Sequence, residues 1–360
     1  MYRYFMMLAL AGVLAGCSSG GGGDNPLSED EECVRENPLQ ECEEAEEEEE
    51  VVEEEEEGVP DDLAESLASF RLSEDKSTMS VSVVSVDTTP LEATYQRNTA
   101  LDVRNDAGEI AYLAYSVQED PLDRFFMALG NRSADGSVEA TAVASGGQFG
   151  TVYHGSGYSR DGAYTPPTVG DGPGEGQVSY AGRYVSMLSL TGRDDTTADG
   201  DPVIILPVAD GTPLAITPSQ PAVIEGVIFL NANFAEATVE GIIFDRVAEN
   251  PSPNPNLLDD DPSNDDQIPE GYNATRSFED VDLYVSDIDE NGEFLGEGSV
   301  NDQNVGSYGG IFGGEDAGHV AGVTNFNIEN NSIEEIGAFV LTQCGLDGDD
   351  AVCDQAAPFE

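Results

Sequence analysis

From Met79 onward, short apolar runs alternate with polar positions along the chain, at the period of a β-strand rather than a helix. The clearest runs lie in the second half of the sequence, where turn-forming residues separate them. Eight runs have strand length: 177–190, 222–234, 237–247, 278–288, 292–300, 308–314, 319–328 and 336–343. Eight short strands without a long helical period favour a closed antiparallel barrel or a β-sandwich.

The first half of the chain carries a weaker pattern of the same kind. Runs rich in valine and tyrosine between 79 and 145 are separated by Asn-Asp-Ala-Gly and Ala-Asp-Gly turns. We predict a smaller, β-rich N-terminal domain over 61–170. The proline- and glycine-rich segment 165–176 breaks the pattern and is the predicted boundary before a barrel over 174–345.

Residues 17–60 have the composition of a disordered acidic tether. A glycine-rich piece precedes a block made almost entirely of glutamate, which repels itself and buries too little apolar surface to fold. Between this tether and the first strand, 61–73 begins with acidic residues and places Leu63, Leu67 and Phe70 on one face, which predicts a short helix. Residues 250–271 are acidic and proline-rich, which predicts a long loop between barrel strands.

The stretch NVGSYGGIFGGEDAGHVAGVTNF (304–326) combines many glycines with regularly spaced aromatic and aliphatic residues. Glycine relieves crowding where a strand bends around a small barrel, and large residues between the glycines fill the interior. We therefore predict a curved strand pair, 308–313 and 319–326, joined by a tight GEDAG turn.

This stretch resembles the closing strands of the transferrin-binding-protein-B-like β-barrel, in which glycines and aromatics recur in the same order. The matching positions are Gly306, Tyr308, Gly310, Phe312, Gly313 and Gly322. The glutamate that the family carries after the turn is absent, and His319 occupies that area. Upstream, VSYAGRYVSML resembles the first strand of that barrel, and IFLNANFAEATVEGIIFDR resembles its next hairpin, so the resemblance covers 174–341.

The resemblance implies a non-catalytic lipoprotein on the outer-membrane surface, whose barrel binds a host protein, haem or another solute beside a membrane transporter. The transferrin-contacting loops of the family have no counterpart here, so the resemblance does not imply that this protein binds transferrin. Two alternatives stay open. One is a structural or adhesive display module, and the other is a surface hydrolase that uses two buried carboxylates.

The N-terminus predicts where the protein resides. One basic residue, Arg3, precedes an apolar run too short to span a bilayer, which is typical of a signal peptide over 1–16. Leu14-Ala15-Gly16-Cys17 resembles the bacterial lipobox, in which the cysteine thiol receives a lipid. We expect Cys17 to anchor the chain in the membrane; an ordinary signal peptide with an incidental cysteine is the alternative. Ser18 favours the outer membrane.

The formal net charge of −59, with a single lysine, excludes some partner classes. Such a surface repels nucleic acid and anionic lipid headgroups and argues against phosphate binding. A high-salt habitat is the explanation we favour, and an acidic face for a cationic partner is the alternative. We expect a monomer.

Four further cysteines form two local pairs with equal spacing, Cys33 with Cys42 and Cys344 with Cys353. In an exported protein this spacing predicts two small disulfide loops, the second in a C-terminal tail over 346–360. Zinc is the competing interpretation, but no histidine lies near either pair.

Asp287, Asp289 and Asn291, followed by Gly292, have the spacing that opens an EF-hand calcium loop. Gly298 stands where the loop requires its bidentate glutamate, and a hairpin turn built on Asn-Gly explains the same residues. We favour the hairpin and keep calcium as the candidate cation. The acid-rich turn 192–202 is a weaker candidate of the same kind.

His154 lies beside Tyr153 and Tyr158, and His319 lies in the family-like strand. A histidine with neighbouring tyrosines is a candidate haem contact, although a lone histidine in a turn is more often polar surface. The sequence contains no Gly-x-Ser-x-Gly elbow and no nucleotide-binding lysine loop. We therefore expect no enzymatic activity.

Overall fold

The computed structural model describes residues 59–84, 90–105, 107–146, 152–170, 176–189, 204–213, 216–249, 275–328 and 333–354. The signal peptide, Cys17, the Cys33 and Cys42 pair, the acid-rich turn 192–202 and the loop 250–271 lie outside these residues. The described residues belong to one compact unit, Glu56–Glu360. None of their helices is long and apolar enough to cross a membrane.

The described part of the chain is mainly β, with one short helix, α1 (Asp61–Ala64). Its strands are β1 (Leu67–Leu72), β2 (Thr78–Val84), β3 (Pro90–Arg97), β4 (Val103–Arg104), β5 (Ile110–Val117), β6 (Phe126–Arg132), β7 (Val138–Ser145), β8 (His154–Arg160), β9 (Gln177–Ser189), β10 (Ile204–Ile205), β11 (Ser219–Gln220), β12 (Ala222–Asn233), β13 (Thr238–Glu249), β14 (Thr275–Ser277), β15 (Val281–Asp287), β16 (Glu293–Val300), β17 (Gln303–Gly313), β18 (His319–Ile328) and β19 (Ile333–Gln343). Short 3₁₀ turns lie at Thr99–Leu101, Glu315–Ala317 and Ala351–Asp354.

The predicted eight-stranded antiparallel barrel is confirmed. Its strands follow the order β12-β9-β19-β18-β17-β16-β15-β13, and β13 pairs with β12 to close the ring. Strand β14 adds to β13, and β10 and β11 form a separate pair. All eight strands predicted from the alternating pattern are present, in chain order around the ring.

An N-terminal antiparallel sheet precedes the barrel, in the order β1-β2-β3-β5-β6-β7-β8 with β4 on β5. Its two ends approach each other, since Ser66 N–H donates to the His154 carbonyl at 3.0 Å, so the sheet is nearly closed around its own core. That core includes Leu72, Met79, Val81, Tyr95 and Tyr115. The predicted division at 170–174 stays a prediction, because both sheets belong to one compact unit.

The helix predicted over 61–73 is wrong beyond its first turn. Glu65 has a left-handed φ of 48° and ends α1, and Leu67–Leu72 continues as β1. Pairing with β2 gives this segment a backbone ladder and buries Leu67 and Leu72 in the sheet core. This tertiary gain exceeds the weak helical preference of a short segment.

The glycines of the barrel make room for aromatic rings, as the sequence pattern predicted. Three cross-strand pairs set a glycine against a ring: Gly296 and Tyr308, Gly310 and Phe294, and Gly322 and Phe339. A Cβ on these glycines would lie 2.5, 2.6 and 2.2 Å from the opposing ring. Such approaches are shorter than carbon contacts allow, so the rings occupy the space that a side chain would need. The barrel interior is therefore filled.

The N-terminal sheet packs against the outer wall of the barrel through small side chains. One apolar cluster joins β5 to β8 with β9 and β17 to β19. Its members include Met127, Ala140, Ala142 and Ala144 on the sheet, and Val185, Ile311, Ala321, Val323, Ile336 and Ala338 on the barrel. Alanines on both sides let the two layers approach closely, and the buried apolar surface holds them together.

Candidate functional site

A cleft of about 580 Å³ lies where the N-terminal sheet, the barrel and the C-terminal loop meet. One wall is formed by the N-terminal sheet, with Asn105, Ala107 and residues 109–112 and 131–134. The second is formed by barrel residues 181–183 and 340–342. Residues 348–352 form the third. Clefts at such junctions are where proteins commonly bind ligands.

Tyr112 of β5 fixes the first wall to the second. Its buried hydroxyl donates to the Arg183 carbonyl at 2.8 Å and accepts from the Val340 N–H at 3.1 Å. The two barrel strands β9 and β19 pair on either side of this point, and the hydroxyl bridges them between those pairings. Burial raises the pKa of Tyr112 above its usual value, so the hydroxyl keeps its proton and remains a donor.

The third wall is held by the predicted C-terminal disulfide, which is confirmed. Cys344 and Cys353 are bonded with their Cα atoms 5.4 Å apart. Within the loop, Asp349 Oδ2 accepts the Gly345 N–H at 2.7 Å, and Asp350 Oδ1 accepts a backbone N–H at 3.0 Å. The loop is thus closed covalently and by its own carboxylates, which makes a preformed wall.

The first wall supplies polar groups at the mouth of the cleft. Asn105 accepts the Glu109 N–H at 2.9 Å, which closes the turn between β4 and β5. Asn131 donates to the Ala111 carbonyl at 2.8 Å, and the guanidinium of Arg132 donates to a carboxylate of β7. With apolar groups from the barrel wall, this mixture suits non-covalent binding. The described residues contain no group of three or more His, Cys, Asp or Glu side chains placed to hold a metal.

The residues of the calcium candidate form a hairpin turn between β15 and β16. Asp289 Oδ1 accepts the N–H groups of Asn291 and Glu293 at 2.9 and 2.7 Å, and Gly292 has a φ of 77°. Arg160 of β8 donates to the Asn291 backbone carbonyl and holds the turn against the N-terminal sheet. Asp287 lies at the end of β15 and is exposed. Calcium binding at this turn stays a prediction.

The residues of the haem candidate do not lie together. Tyr153 packs in the core of the N-terminal sheet, 6.1 Å between ring centroids from Phe126. Tyr158 is buried in the cluster between the sheet and the barrel. His154 starts β8, whereas His319 starts β18 on the barrel. Haem binding by these residues stays a prediction.

Each histidine instead faces a carboxylate across the junction of the two sheets. His154 Nε2 on the N-terminal sheet lies 3.3 Å from Glu334 Oε2 on β19. His319 Nε2 on the barrel lies 3.4 Å from Asp135 Oδ1, in the turn between β6 and β7. Because an imidazole is charged only when protonated, each contact is an ion pair only when its histidine is protonated. Neither partner could be identified from the sequence alone.

A charged pair inside the barrel was also missed by the sequence analysis. The side chains of Arg246 and Glu335 are fully buried and form an ion pair. Glu335 Oε1 also accepts the hydroxyls of Tyr184 and Ser186 at 3.0 and 2.8 Å, and Tyr184 lies 2.7 Å from Thr324 Oγ1. Burial raises the pKa of Tyr184 well above its usual value, with the Glu335 charge adding to the effect.

A β-bulge aims Arg246 inward. Between two regular stretches of the ladder, β13 advances three residues while β12 advances two, and Asp245 has a φ of 51°. Gly226 opposite leaves room for the arginine, since a Cβ there would lie 3.1 Å from Arg246 Cγ. One guanidinium nitrogen donates to the Glu279 carbonyl, while Nε has no hydrogen-bond partner among the described residues. The charges of Arg246 and Glu335 thus compensate each other inside the barrel, and the pair has a structural role.

No protein-family model and no curated protein sequence matches the chain. Among solved structures, a double mutant of the vaccine antigen transferrin-binding protein B from Haemophilus parasuis matches at 12% identity and a TM-score of 0.34. The match covers 74% of this chain and 51% of that chain. Transferrin-binding protein B from serogroup B Neisseria meningitidis matches at 10% identity and a TM-score of 0.32, over 75% and 50% of the two chains.

A third structure, described as a surface lipoprotein, matches at 13% identity and a TM-score of 0.33, over 75% of this chain and 94% of that chain. This chain thus spans about half the length of the transferrin-binding protein B structures that it matches. The family that the sequence resembles is found again among solved structures. At these identities and TM-scores the likeness carries no argument about function.

Proposed function

We propose that the protein is a non-catalytic lipoprotein of the outer-membrane surface, anchored through Cys17, that binds a solute or protein ligand in the cleft. The observation that carries this proposal is the cleft itself, whose three walls are tied together before any ligand arrives. The Tyr112 hydroxyl joins the sheet to the barrel, and the Cys344–Cys353 disulfide holds the loop. A preformed site loses less conformational freedom on binding, so more of the contact energy appears as affinity.

The filled barrel supports an external site. Rings opposite glycines occupy one part of the interior, and the Arg246–Glu335 pair with its hydroxyl partners occupies another. A ligand that entered the barrel would have to displace packed side chains or break a buried ion pair, and both are costly. Binding at the junction of the barrel with its neighbours requires neither.

The buried carboxylates offer no support for a hydrolase. Asp102 and Glu335 are both buried, and each is paired with an arginine, Arg97 and Arg246, rather than with a second acid. The hydrolase alternative requires two neighbouring buried carboxylates, whereas each of these two is held by a guanidinium. A display module is the remaining alternative, and it predicts no ligand in the cleft.

The proposal is tested by thermal unfolding of the full chain with haem, a ferric chelate, calcium chloride or transferrin. A ligand at a hundredfold excess over its Kd stabilises the folded state by about 2.7 kcal/mol, which is visible as a shift of Tm. Replacing Ala134, an exposed residue of the cleft wall, by Trp should abolish that shift. The matched control is Ala163→Trp, which alters an exposed alanine outside the cleft lining.

A shift that survives in Ala134→Trp would place the binding elsewhere on the molecule. No shift with any of the four probes would favour the display module. The anchor is tested separately, by metabolic labelling with palmitate. Wild-type protein should incorporate the label and Cys17→Ala should not; a labelled Cys17→Ala variant would contradict the lipid site.

A further inference from the structure

Three large apolar side chains are exposed side by side on the outer wall of the barrel. Tyr284 and Val285 on β15 are 43% and 61% exposed, and Leu295 on β16 is 52% exposed. The two strands pair at Leu283–Gly298, and an isolated bridge joins Ile288 to Phe294. The register of Leu283 with Gly298 sets Tyr284 opposite Glu297, so Leu295, two residues along β16, is the diagonal neighbour of Tyr284 and within reach of its long side chain. The three side chains, called the β15–β16 patch below, are thus contiguous.

A backbone bulge creates this exposure. From Val239–Ser286 to Gly241–Leu283, β13 advances two residues while β15 advances three. The extra residue breaks the alternation, so Tyr284 and Val285 both face outward while Leu283 and Ser286 on either side are buried. A regular strand would have turned one of the two exposed side chains inward.

Leu295 lies next to a glycine of the neighbouring strand β17. It pairs with Gly309 of β17, and a Cβ on that glycine would lie 3.5 Å from Leu295 Cδ1. The nearest side chain to that position is Leu63 of α1, whose Cδ1 would lie 2.8 Å from the Cβ, so Leu63 covers the glycine and bounds the patch on this side. The patch is open toward solvent, where Leu295 remains 52% exposed.

Carboxylates surround the patch on its own two strands and on the neighbouring strand β13. Four exposed acids flank it: Glu240 on β13, Asp282 and Asp287 on β15, and Glu297 on β16. None of the four forms an ion pair within the part of the chain that the structure describes. The patch therefore has an apolar centre and a negatively charged rim.

We propose that the β15–β16 patch docks a partner protein that presents an apolar anchor ringed by lysine or arginine. Protein interfaces commonly combine a buried apolar centre with a polar rim, and complementary charge steers the two surfaces together. A second copy of this chain or an anionic membrane would place like charges opposite the acidic rim. Solubility in salt explains the acids, but it does not explain two exposed apolar residues on a bulged strand with a third on the strand beside it.

The inference is independent of the proposed function. No residue of the patch or its rim lines the cleft, and the patch lies on the barrel wall rather than at the junction of the two sheets. A ligand in the cleft and a partner on the patch can therefore be gained or lost separately.

The test titrates the full chain into a fluorescein-labelled amphipathic peptide in which Lys and Arg flank a Leu and Trp centre, at 150 mM salt. Two control peptides carry Glu in place of every basic residue, or Ser in place of Leu and Trp. Fluorescence anisotropy gives Kd for the wild type and for a patch variant, Tyr284→Ser with Val285→Thr and Leu295→Thr. These side chains are exposed, so the Tm of the patch variant should stay close to that of the wild type.

The patch variant should weaken binding of the basic peptide at least about tenfold, as loss of an anchor at the centre of an interface does. Neutralising the rim with Glu240→Gln and Glu297→Gln should weaken it several-fold and flatten its salt dependence. Leu122→Thr with Leu346→Thr removes two exposed leucines elsewhere and should leave Kd unchanged. This control distinguishes binding at the patch from nonspecific hydrophobic binding.

Equal affinity of the basic peptide for the wild type and the patch variant would overturn the proposal, because binding would then reside on other acidic parts of the chain. Equal affinity for the charge-reversed peptide would overturn the role of the rim. Absence of binding would refute the docking surface. Self-association of the full chain that disappears in the patch variant, seen by analytical ultracentrifugation, would also overturn it and make the occupant a second copy.

Discussion

Replacing Glu335 by leucine would leave the guanidinium of Arg246 buried in the barrel without its counter-charge. Both side chains are fully buried, so water does not screen the loss. Removing one partner of a buried ion pair costs about 3–5 kcal/mol, and we expect the free energy of unfolding to fall by that amount. At roughly 2–4 °C per kcal/mol for a chain of a few hundred residues, Tm should fall by roughly 6–20 °C.

The surrounding contacts support the upper part of this range. Arg246 would keep only its bond to the Glu279 carbonyl, and its Nε already lacks a partner among the described residues. Tyr184 would keep Thr324 as a partner, but the Ser186 hydroxyl would lose its acceptor. A buried hydroxyl without a partner adds about 1–3 kcal/mol.

The matched control removes both charges together. Arg246→Met with Glu335→Leu and Ser186→Ala takes away the ion pair and the hydroxyl that depends on it. Replacing a buried pair by apolar residues of similar volume is often neutral or stabilising, so this triple variant should be at least as stable as the wild type to within about 1 kcal/mol. Urea unfolding followed by circular dichroism gives the free energies, with the m-value checking that the unfolded state is unchanged.

Two results would refute this reasoning. A cost below about 1 kcal/mol for Glu335→Leu would mean that water reaches the arginine, as it does at exposed pairs. A triple variant as unstable as the single one would mean that packing at position 335, rather than charge, controls the effect.

The other predictions concern the junction and the loop. Tyr112→Phe should cost about 1–3 kcal/mol in urea unfolding, because two buried backbone groups of the barrel lose their bridge, and an unchanged stability would contradict that role. Replacing Cys344 and Cys353 by serine should cost roughly 2–3 kcal/mol in the chain-entropy model and expose the loop to proteolysis; equal protease resistance of both forms would count against a disulfide-held wall. Burial raises the pKa of Asp135, but hydrogen bonds from Ser137 and neighbouring groups outweigh it and hold the pKa below its usual value. Its stabilisation is therefore complete above the ordinary carboxyl range and is lost as pH falls through the lower, folded pKa, so Asp135→Asn should flatten the fall of Tm below about pH 4.

The barrel could be predicted because its sequence signals are local. Apolar and polar residues alternate within each strand, and the pairing of glycines with aromatic rings follows from the shape of a small barrel. The segment 67–72 was misjudged because only its pairing with β2, a contact outside the segment, decides between helix and strand.

The buried ion pair shows a second limit of prediction from the sequence. In β19, Phe339 and Leu341 face the barrel interior, and Glu335 is an even number of residues from both. The alternation along the strand could therefore have predicted that this glutamate faces inward. In β13, Ile243 faces inward, and regular alternation from Ile243 would make Arg246 face outward. The bulge at Asp245 reverses this alternation, and the periodic pattern of a sequence does not reveal a single extra residue in a strand. The partners of His154 and His319 were missed for a related reason, since they lie on the other sheet.

The position of Tyr112 has a consequence for the order in which the molecule is assembled. Strand β9 is the first barrel strand along the chain and β19 is the last, so their seam joins segments about 150 residues apart. A chain that is made or exported from its N-terminus onward contains the whole N-terminal sheet before β19 is available. The tyrosine hydroxyl that bridges this seam thus belongs to a part of the protein made earlier, which makes the N-terminal sheet a template on which the ring is closed. A chain that stops short of residue 343 would leave the edges of β9 and β18 unpaired, as open sites for aggregation.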